Sequence, residues 1–278
     1  MSLRRRFAQV DVFTSRPFHG NPLAVVLDAE GLSAAEMQRI AHWTNLSETA
    51  FVLPPSVAGA DYQARIFARE AELPFAGHPT LGTARAVLDA GIAAPRQGQL
   101  TMQCAAGIVP VTVDGDNLSF RLPGYTAEPA RGAAEVPHAL GVPSAIGEID
   151  VIDTGPRWLV ARVPDVGRLA PDAPVLQRLI AENRASGITT YSEVGAGEIE
   201  ARTLFFVQLL IEDPVCGSGN AAVAVHRLRA GRIADGDHYL ARQGRHVGRD
   251  GEIRVRVEAG GVHIGGQCVR CMEGVLVA

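Results

Sequence analysis

Apolar and polar residues alternate along many short stretches of the chain, and a period of two is typical of half-buried β-strands. The first such stretches, 7–13 and 23–27, flank a turn rich in proline and glycine, which predicts a hairpin. Further strands are predicted at 48–53, 62–68, 99–102, 107–113, 117–122, 149–153, 157–163, 187–193, 199–211, 237–242, 252–257, 261–265 and 268–277. Much of the chain is therefore expected to form sheet.

Helical periodicity interrupts the strands in a few places. A capping box formed by Ser33 and Glu36 predicts the start of a helix that ends near Asn45. Its inner face contains Met37, Ile40 and Ala41, with Trp43 as a further candidate. Another helix is predicted at 172–184, with Val175, Leu176, Leu179 and Ile180 facing inward. The chain is thus predicted to be of the α/β (α+β) class.

One segment of the first half of the chain returns as a near copy in the second half. The segment 70–91 and its copy 213–231 share proline, glycine, alanine and leucine at matching places, namely Pro74 and Pro214, Gly77 and Gly217, Ala84 and Ala224, Leu88 and Leu228, and Gly91 and Gly231. The order of strands and helices around the segments is also similar. The chain is therefore predicted to contain two similar lobes.

The lobe boundaries follow from composition. The N-terminal lobe is predicted at 1–123, and the C-terminal lobe at 148–265. The stretch between them, rich in proline, glycine and small residues, is interpreted as a crossover with a short helix near 135–140. The last strand, 266–278, is expected to return and complete the N-terminal lobe.

Each repeated segment predicts a turn that leads into a helix closed by a glycine. Helices so rich in alanine and valine have little polar surface and must be buried. The N–H groups at the start of a helix have no intrahelical partner, and the helix dipole makes this end positive. Each helix start is therefore a candidate anion site. Two such sites that faced each other would clamp one small acidic substrate.

Composition narrows the chemistry. The 278 residues are 47% hydrophobic and 20% charged, and all 26 basic residues are arginine. Without lysine the chain can form neither a Schiff base with pyridoxal phosphate nor the lysine contact of a P-loop. A glycine-rich dinucleotide fingerprint and a cluster of metal ligands are also absent from the sequence. We therefore expect no cofactor and no metal.

The same composition bears on partners and location. A net charge of −4, with no basic run beyond residues 4–6, argues against nucleic acid. No apolar run approaches 18 residues and no signal peptide is recognisable, which predicts a soluble, cytoplasmic protein without a membrane partner.

Four segments resemble those of the PhzF (phenazine biosynthesis-like) family, whose relatives include diaminopimelate epimerase and proline racemase. They are Val12-Phe-Thr-Ser-Arg-Pro-Phe-His-Gly-Asn-Pro-Leu-Ala-Val-Val26, Asn45-Leu-Ser-Glu-Thr-Ala-Phe-Val52, the stretch from Glu70 to Gly82, and Glu212-Asp-Pro-Val-Cys-Gly-Ser-Gly-Asn220. The resemblance implies the diaminopimelate epimerase-like fold, in which two lobes related by approximate two-fold symmetry each curve a barrel-like sheet around a central helix. It also implies a homodimer.

The resemblance assigns roles to residues that are ambiguous from the sequence alone. Glu48 matches the acid–base glutamate of the family, whereas a glutamate at a strand edge is ordinarily solvated surface. His78 and Asp213 match further catalytic positions, although both are also common in turns and caps. The matched substrate-binding positions are Gly20, Asn21, Gly77, Cys216, Gly217, Ser218 and Gly219. For Gly20 and Asn21, a tight turn is an equally good interpretation.

The cysteines separate related activities. In the epimerase and racemase relatives, two cysteines at the two helix starts act on opposite faces of one carbon. This chain has Cys216 at the second start but Ala76 at the first, which disfavours a two-thiol mechanism. Cys268 and Cys271 would point to opposite faces of an alternating strand, which argues against a metal or redox site there. Cys104 is interpreted as a small buried residue.

These observations predict a cofactor-independent isomerase of PhzF-like type. Glu48 would move a proton between carbons of a small carboxylate substrate, while His78, Asp213 and Ser218 orient the acid and stabilise enolate-like charge. Two alternatives remain open: epimerisation at one carbon with Cys216, and a binding protein that has lost turnover. The sequence does not identify the substrate.

Overall fold

Strands make up most of the secondary structure of residues 3–278, which a computed structural model describes. These residues divide into two units: unit 1 extends to Arg121 and also includes Gly265–Ala278, and unit 2 is Leu122–Ile264. The predicted fold class is confirmed, because the chain is mixed α/β with barrel-like sheet and few helices. No helix within residues 3–278 has the length and apolar character that crossing a membrane requires.

Unit 1 places helix α2 against its sheet. The helices are α1 (Ala34–Thr44) and α2 (Gly77–Asp89), and the strands are β1 (Arg4–Val12), β2 (Asn21–Val26), β3 (Glu48–Leu53), β4 (Tyr62–Ala68), β5 (Glu72–Leu73), β6 (Gln99–Cys104), β7 (Gly107–Asp114) and β8 (Asn117–Arg121). Strands β1 and β2 are antiparallel, β2 and β3 are parallel, and β3 and β4 are antiparallel. Helix α2 contacts β1, β2, β3, β6, β7 and β8, so it is enclosed by the sheet.

Unit 2 repeats this arrangement around helix α5. Its helices are α3 (Val136–Ala139), α4 (Ala173–Glu182) and α5 (Gly217–Arg229), and its strands are β9 (Thr126–Pro129), β10 (Asp150–Asp153), β11 (Arg157–Arg162), β12 (Gly187–Gly195), β13 (Glu198–Phe206), β14 (Leu210–Asp213), β15 (His238–Gln243) and β16 (Gly251–Glu258). The order antiparallel, parallel, antiparallel recurs in β10–β11, β11–β12 and β12–β13. Helix α5 contacts β10, β11, β12 and β16.

The last strand, β17 (Gly261–Val277), begins in unit 2 and ends in unit 1. Within unit 1 it pairs antiparallel with β1, from Cys268 opposite Val12 to Val277 opposite Arg4. The pattern predicted two separate strands here, at 261–265 and 268–277. The structure has a single strand, because Gly265 and Gly266 continue in extended conformation where the sequence suggested a break.

The helix ends agree with the expected signals. The Ser33 side chain accepts the Glu36 N–H and the Glu36 side chain accepts the Ser33 N–H, so the predicted capping box is confirmed. Gly91 and Gly231 have φ of 65° and 64°, the left-handed conformation predicted after α2 and α5. Glycine reaches this conformation without the steric cost that a Cβ imposes.

Three further details differ from the sequence-based prediction. Trp43 is 81% exposed, because it lies well off the face that carries Met37 and Ala41 at about 100° per residue. The strand predicted at 199–211 is the antiparallel pair β13 and β14, joined by a turn in which Val207 N–H bonds to Leu209 C=O. The stretch interpreted as a crossover contains β9 and α3 and lies in unit 2.

The segment that leads into α5 is held by residues far along the chain. Gly244 has φ of 100° and lies so close to Pro214 that a Cβ would collide with the Pro214 carbonyl. The Gln243 side chain, which is fully buried, donates to the Asp213 carbonyl at 3.0 Å. The path of the chain into α5 therefore depends on a close backbone contact and a buried hydrogen bond.

We expect Gly244→Ala to lower the free energy of unfolding more than Gly248→Ala does. Both glycines have positive φ, but a Cβ on Gly248 would meet nothing within 4 Å. The Gly248 variant should cost about 1 kcal/mol through backbone strain. Collision with Pro214 should cost Gly244→Ala about 1–3 kcal/mol more. Urea unfolding of both variants measures the difference, and equal destabilisation would contradict the proposed close contact.

Candidate active site

Glu48 is the first residue of β3 in unit 1. Helix α1 ends at Thr44, and the next residue, the C-cap Asn45, has a left-handed φ of 59° that turns the chain toward the sheet. A hydrogen bond of 2.9 Å between the hydroxyls of Thr44 and Thr49 joins the end of the helix to the strand. The Glu48 side chain is 18% exposed, so the carboxyl group lies at the edge of the core rather than on an open surface.

His78 lies beside Glu48, at the second residue of α2. Its Nε2 is 3.4 Å from Oε2 of Glu48, and its side chain is 9% exposed. Burial lowers the pKa of His78 from 6.5 to about 3. At neutral pH the imidazole is therefore uncharged. It can donate one N–H, but it is too weakly basic to take up a second proton.

The start of α2 leaves few backbone donors available. Ala76, at the N-cap, has no side chain that could accept a hydrogen bond, and the first helical bond runs from Thr80 N–H to Ala76 C=O. Pro79 has no N–H. The N–H groups of Gly77 and His78 therefore remain without intrahelical partners beside Glu48. Gly77 itself has little room for a side chain, because a Cβ would lie 3.0 Å from the Phe120 ring.

Gly20 and Asn21 lie where β1 and β2 meet. Gly20 N–H donates to Oδ2 of Asp11 at 3.0 Å, and a Cβ at this position would collide with the Val12 carbonyl. Asn21 is the first residue of β2, pairs with Val12 and is 1% exposed. These contacts require glycine at position 20 for structural reasons, and they favour the interpretation of Gly20 and Asn21 as part of a tight turn.

In unit 2, Asp213 ends β14 and Cys216 is the N-cap of α5. Oδ1 of Asp213 accepts the Val215 N–H at 3.0 Å, and the Cys216 thiol forms a hydrogen bond with the same carboxylate. Burial raises the pKa of Asp213 from 3.8 to about 6, against the opposing effect of these two hydrogen bonds. The carboxyl group therefore titrates just below neutral pH.

Cys216 has a clear structural function as a cap. Its Sγ accepts the Gly219 N–H at 3.3 Å, at the helical position that corresponds to Pro79 in α2. Burial and the nearby charge of Asp213 raise the pKa of the thiol well above its usual value. A protonated thiol is neither a good base nor a good nucleophile. These properties weigh against the one-carbon mechanism with Cys216.

The other predicted residues of this segment form the first turn of α5. Gly217 and Ser218 are its first two residues, and their N–H groups have no intrahelical partner. Gly219 must be glycine, because a Cβ would lie 2.5 Å from the Thr189 hydroxyl oxygen and 2.8 Å from that of Thr203. Ser218 Oγ is 3.6 Å from Cys216 Sγ.

The structure adds residues that the sequence did not single out. The buried Asn220 side chain donates to the Cys216 carbonyl and to the Gln243 side chain, at 2.9 and 2.7 Å. Trp158, on β11, donates its indole N–H to Ser218 Oγ at 3.2 Å. The sequence repeat could have pointed to Trp158. Gly155-Pro156 precede β11 as Asn21-Pro22 begin β2, so the repeat extends to the strand that contains Trp158.

Strand pairing shows that unit 2 has no carboxylate at the position that corresponds to Glu48. Gly187 pairs with Phe205 as Thr49 pairs with Phe67, so the counterpart of Glu48 is the residue before Gly187. That residue is Ser186. A hydroxyl in this place cannot act as a base near neutral pH, so the two units differ in the chemistry they can perform.

The cysteines near the end of the chain remain free. Cys268 is buried, and Cys271 lies at the irregularity between Gln9 and Val10 in the pairing of β17 with β1. Across residues 3–278, no three or more His, Cys, Asp or Glu side chains are grouped so that they could hold a metal ion.

The chain is similar to known proteins along nearly its whole length. The model of the family described as phenazine biosynthesis-like protein (PhzC-PhzF) matches residues 10–274. A Schizosaccharomyces pombe protein named antisense-enhancing sequence 1 is 39% identical, over 96% of this chain and 97% of its own. The trans-2,3-dihydro-3-hydroxyanthranilate isomerase of Pseudomonas aeruginosa is 32% identical, over 93% of this chain and 92% of its own.

A solved structure supports the same relationship. The phenazine biosynthesis protein of the PhzF family from Bacillus anthracis has a TM-score of 0.85 and 26% identity, over 99% of this chain and 100% of that one. The match covers the repeated helices and the strands around them. The chain belongs to the phenazine biosynthesis-like (PhzC/PhzF) family and is an isomerase.

Proposed function

We propose that this isomerase moves a proton between carbons of a small carboxylate substrate, with Glu48 as the acid–base residue. The observation that carries the proposal is the position of the Glu48 carboxyl group. It is 3.4 Å from the uncharged His78 imidazole and lies beside the start of α2. A base and uncharged hydrogen-bond donors are thus collected at the positive end of one buried helix.

In the proposed reaction, Glu48 removes a proton from a carbon atom and the electron pair of the C–H bond moves into the conjugated acid. The enolate-like oxygen that results is stabilised by N–H donors, which act best where water is excluded. Glu48 then returns the proton to a different carbon, so the net change is a shift of one proton and one double bond. No redox partner is needed.

His78 is proposed as a donor rather than as a second base. An imidazole with a pKa of about 3 holds no positive charge at neutral pH and can offer a single N–H to Glu48 or to substrate oxygen. An uncharged imidazole 3.4 Å away forms no ion pair with Glu48, and an ion pair would lower the basicity of the carboxylate.

In unit 2, the start of α5 is proposed to bind substrate oxygen. The N–H groups of Gly217 and Ser218, the Ser218 hydroxyl and the carboxyl group of Asp213 lie together there. The first three are donors that suit a carboxylate. The relative named trans-2,3-dihydro-3-hydroxyanthranilate isomerase supports a cyclic amino acid as the first compound to test.

We expect Glu48→Gln to lose at least about a hundredfold in turnover, because glutamine keeps the size of the side chain but cannot accept the proton. Turnover is measured by NMR as deuterium uptake from heavy water, first into trans-2,3-dihydro-3-hydroxyanthranilate and then into a panel of small carboxylic acids. Glu70→Gln is the matched control, since the side chain of Glu70 is 80% exposed. Turnover near wild type in folded Glu48→Gln would refute the assignment.

Cys216→Ser should keep turnover within about tenfold, because serine can also accept the Gly219 N–H and the thiol does not titrate near neutral pH. Cys216→Ala should lower the free energy of unfolding by about 1 kcal/mol through loss of the cap. A loss of about a hundredfold or more in Cys216→Ser, with the fold intact, would favour epimerisation at one carbon instead.

Asp213→Asn should stabilise the fold above pH 6 while reducing turnover. The folded pKa of about 6 exceeds the ordinary value of 3.8, so ionisation of Asp213 destabilises the native state as pH rises through this range. Because Asp213 is partly exposed, we expect a gain on the order of 1 kcal/mol at pH 8 that disappears below pH 4. Urea unfolding of wild type and Asp213→Asn at pH 8 and below pH 4 measures this gain in the free energy of unfolding.

The control for this variant is Asp116→Asn, whose side chain is 81% exposed. It should change the free energy of unfolding little at either pH. If Asp213→Asn were less stable than wild type at pH 8, the raised pKa of Asp213 would be wrong.

A further inference from the structure

Glu48 lies at a corner of the unit 1 sheet, where strand pairing gives it little support. It is the first residue of β3, and its partner Ala68 is the last residue of β4. On the other side of β3, the parallel pairing with β2 begins only at Thr49, which pairs with Ala24. The end of a strand ladder opens more readily than its middle. A carboxyl group that must keep one position here needs support from outside the sheet.

Helix α1 packs on the face of β3 that is opposite to α2. Successive residues of a strand point to opposite faces of the sheet. Glu48 points toward α2, where it lies 3.4 Å from His78, so Thr49 and Phe51 point toward α1. Phe51 and Met37 of α1 belong to one buried apolar cluster. The helix is therefore fixed against the back of the strand that carries Glu48.

Two hydroxyl groups join α1 to β3 next to Glu48. The hydroxyl oxygens of Thr44 and Thr49 are 2.9 Å apart. Thr44 donates its one proton to the Ala41 carbonyl at 2.9 Å, so Thr49 is the donor between the two hydroxyls. Thr49 is fully buried, and a buried hydroxyl that lost its partner would cost free energy. The last turn of α1 is thereby tied to the residue after Glu48.

A side-chain amide of α1 holds the strand partner of Glu48. The Nε2 atom of Gln38 donates to the carbonyl oxygens of Ala68 and Arg69, at 2.9 and 3.0 Å. Carbonyl oxygens only accept, so the NH₂ end of the amide must face them. Ala68 is the residue that pairs with Glu48. Helix α1 therefore holds both the residue after Glu48 and the residue opposite it.

We propose that Thr49 and Gln38 are positioning residues that keep the Glu48 carboxyl group beside His78, with α1 as their support. The proposal rests on the proposed function of Glu48, and it adds the residues that give this carboxyl group its place. Neither Thr49 nor Gln38 touches the reacting atoms, because both side chains lie on the α1 side of the sheet.

The contact between Glu48 and His78 is tested first, without any ligand. The chain has eight histidines, and ¹⁵N NMR of the imidazole rings identifies the His78 signal by its absence in His78→Asn. Glu48→Gln shows how this signal changes when the carboxylate is lost. Thr49→Val keeps the shape of the side chain but removes the hydroxyl, and it should move the His78 signal in the same direction. An unchanged signal in Thr49→Val would overturn the proposal.

Two substitutions at Thr49 separate positioning from stability. Thr49→Val loses the hydroxyl, whereas Thr49→Ser keeps it and loses a methyl group. We expect Thr49→Val to lower kcat about tenfold with little change in KM, because a small displacement of a catalytic group is costly. Thr49→Ser should keep kcat and the His78 signal near wild type, although it should unfold at a lower urea concentration. A kcat that follows stability in both variants would overturn the proposal.

Thr190→Val is the matched control for the lost hydroxyl. Thr190 lies on β12 of unit 2, is fully buried, and donates its hydroxyl proton to the Arg202 carbonyl at 3.3 Å. Its replacement should reduce stability but leave kcat and the His78 signal as in wild type. If Thr190→Val changed both as much as Thr49→Val does, the effect would not be specific to Glu48 and the proposal would fail.

Gln38→Glu tests the second contact and decides the question if Thr49→Val does not fold. Glutamate has nearly the same shape but places a carboxylate oxygen against two carbonyl oxygens. The His78 signal should move and kcat should fall about tenfold. Gln177→Glu adds the same charge at an exposed position of α4 and should behave as wild type. Wild-type kcat and an unmoved His78 signal in Gln38→Glu would overturn the proposal.

Failure here is distinguishable from failure of the proposed function, because the His78 signal is measured without turnover. If wild type exchanges no substrate hydrogen with solvent but Thr49→Val moves the His78 signal, the proton-transfer assignment fails and the support of Glu48 by α1 stands. If Glu48→Gln abolishes exchange while Thr49→Val and Gln38→Glu keep the wild-type kcat and signal, the reverse holds.

Discussion

A helix enclosed by its own sheet must begin with N–H groups that water reaches poorly, and both units of this protein are built around such a helix. Helices α2 and α5 each have 13 residues, of which nine are buried in α2 and ten in α5. Burial of a donor without a partner costs free energy, so each helix start must be capped, avoided or matched by a ligand. The residues at the two helix starts follow from this constraint.

The two units meet the constraint differently. At α2 the N-cap is Ala76, and Pro79 removes the N–H that would otherwise need a cap. At α5 the Cys216 sulfur accepts the corresponding N–H from Gly219. The two helices therefore keep the same geometry with different caps. Only unit 1 has a carboxylate, Glu48, at the start of the neighbouring strand. The two units share this arrangement but differ at a few positions, such as Ala76 and Cys216 or Glu48 and Ser186, and these differences make them chemically unequal.

Local sequence signals predicted the helix ends and the fold class well, but they predicted the tertiary contacts poorly. The Ser33 capping box, the glycines after α2 and α5 and the mixed α/β class were all readable, because each depends on neighbouring residues or on a repeated pattern. The interactions of Gln243 and Trp158 were not, because each joins residues 20 or more positions apart, as Asn220–Gln243 and Trp158–Ser218 do. The turn at 207–209 was missed because its apolar residues continue the strand pattern, although Val207 and Leu209 are exposed.

Burial at the helix starts favours the uncharged form of the titratable groups there. It lowers the pKa of His78 and raises those of Asp213 and Cys216. These shifts share one cause, since each group loses more hydration as an ion than it regains from its neighbours. The neutral His78 imidazole and the neutral Cys216 thiol therefore add no further charge beside the helix N–H groups. Negative charge that forms transiently on a bound acid would then meet donors already in place, which is the condition under which electrostatic stabilisation lowers a barrier.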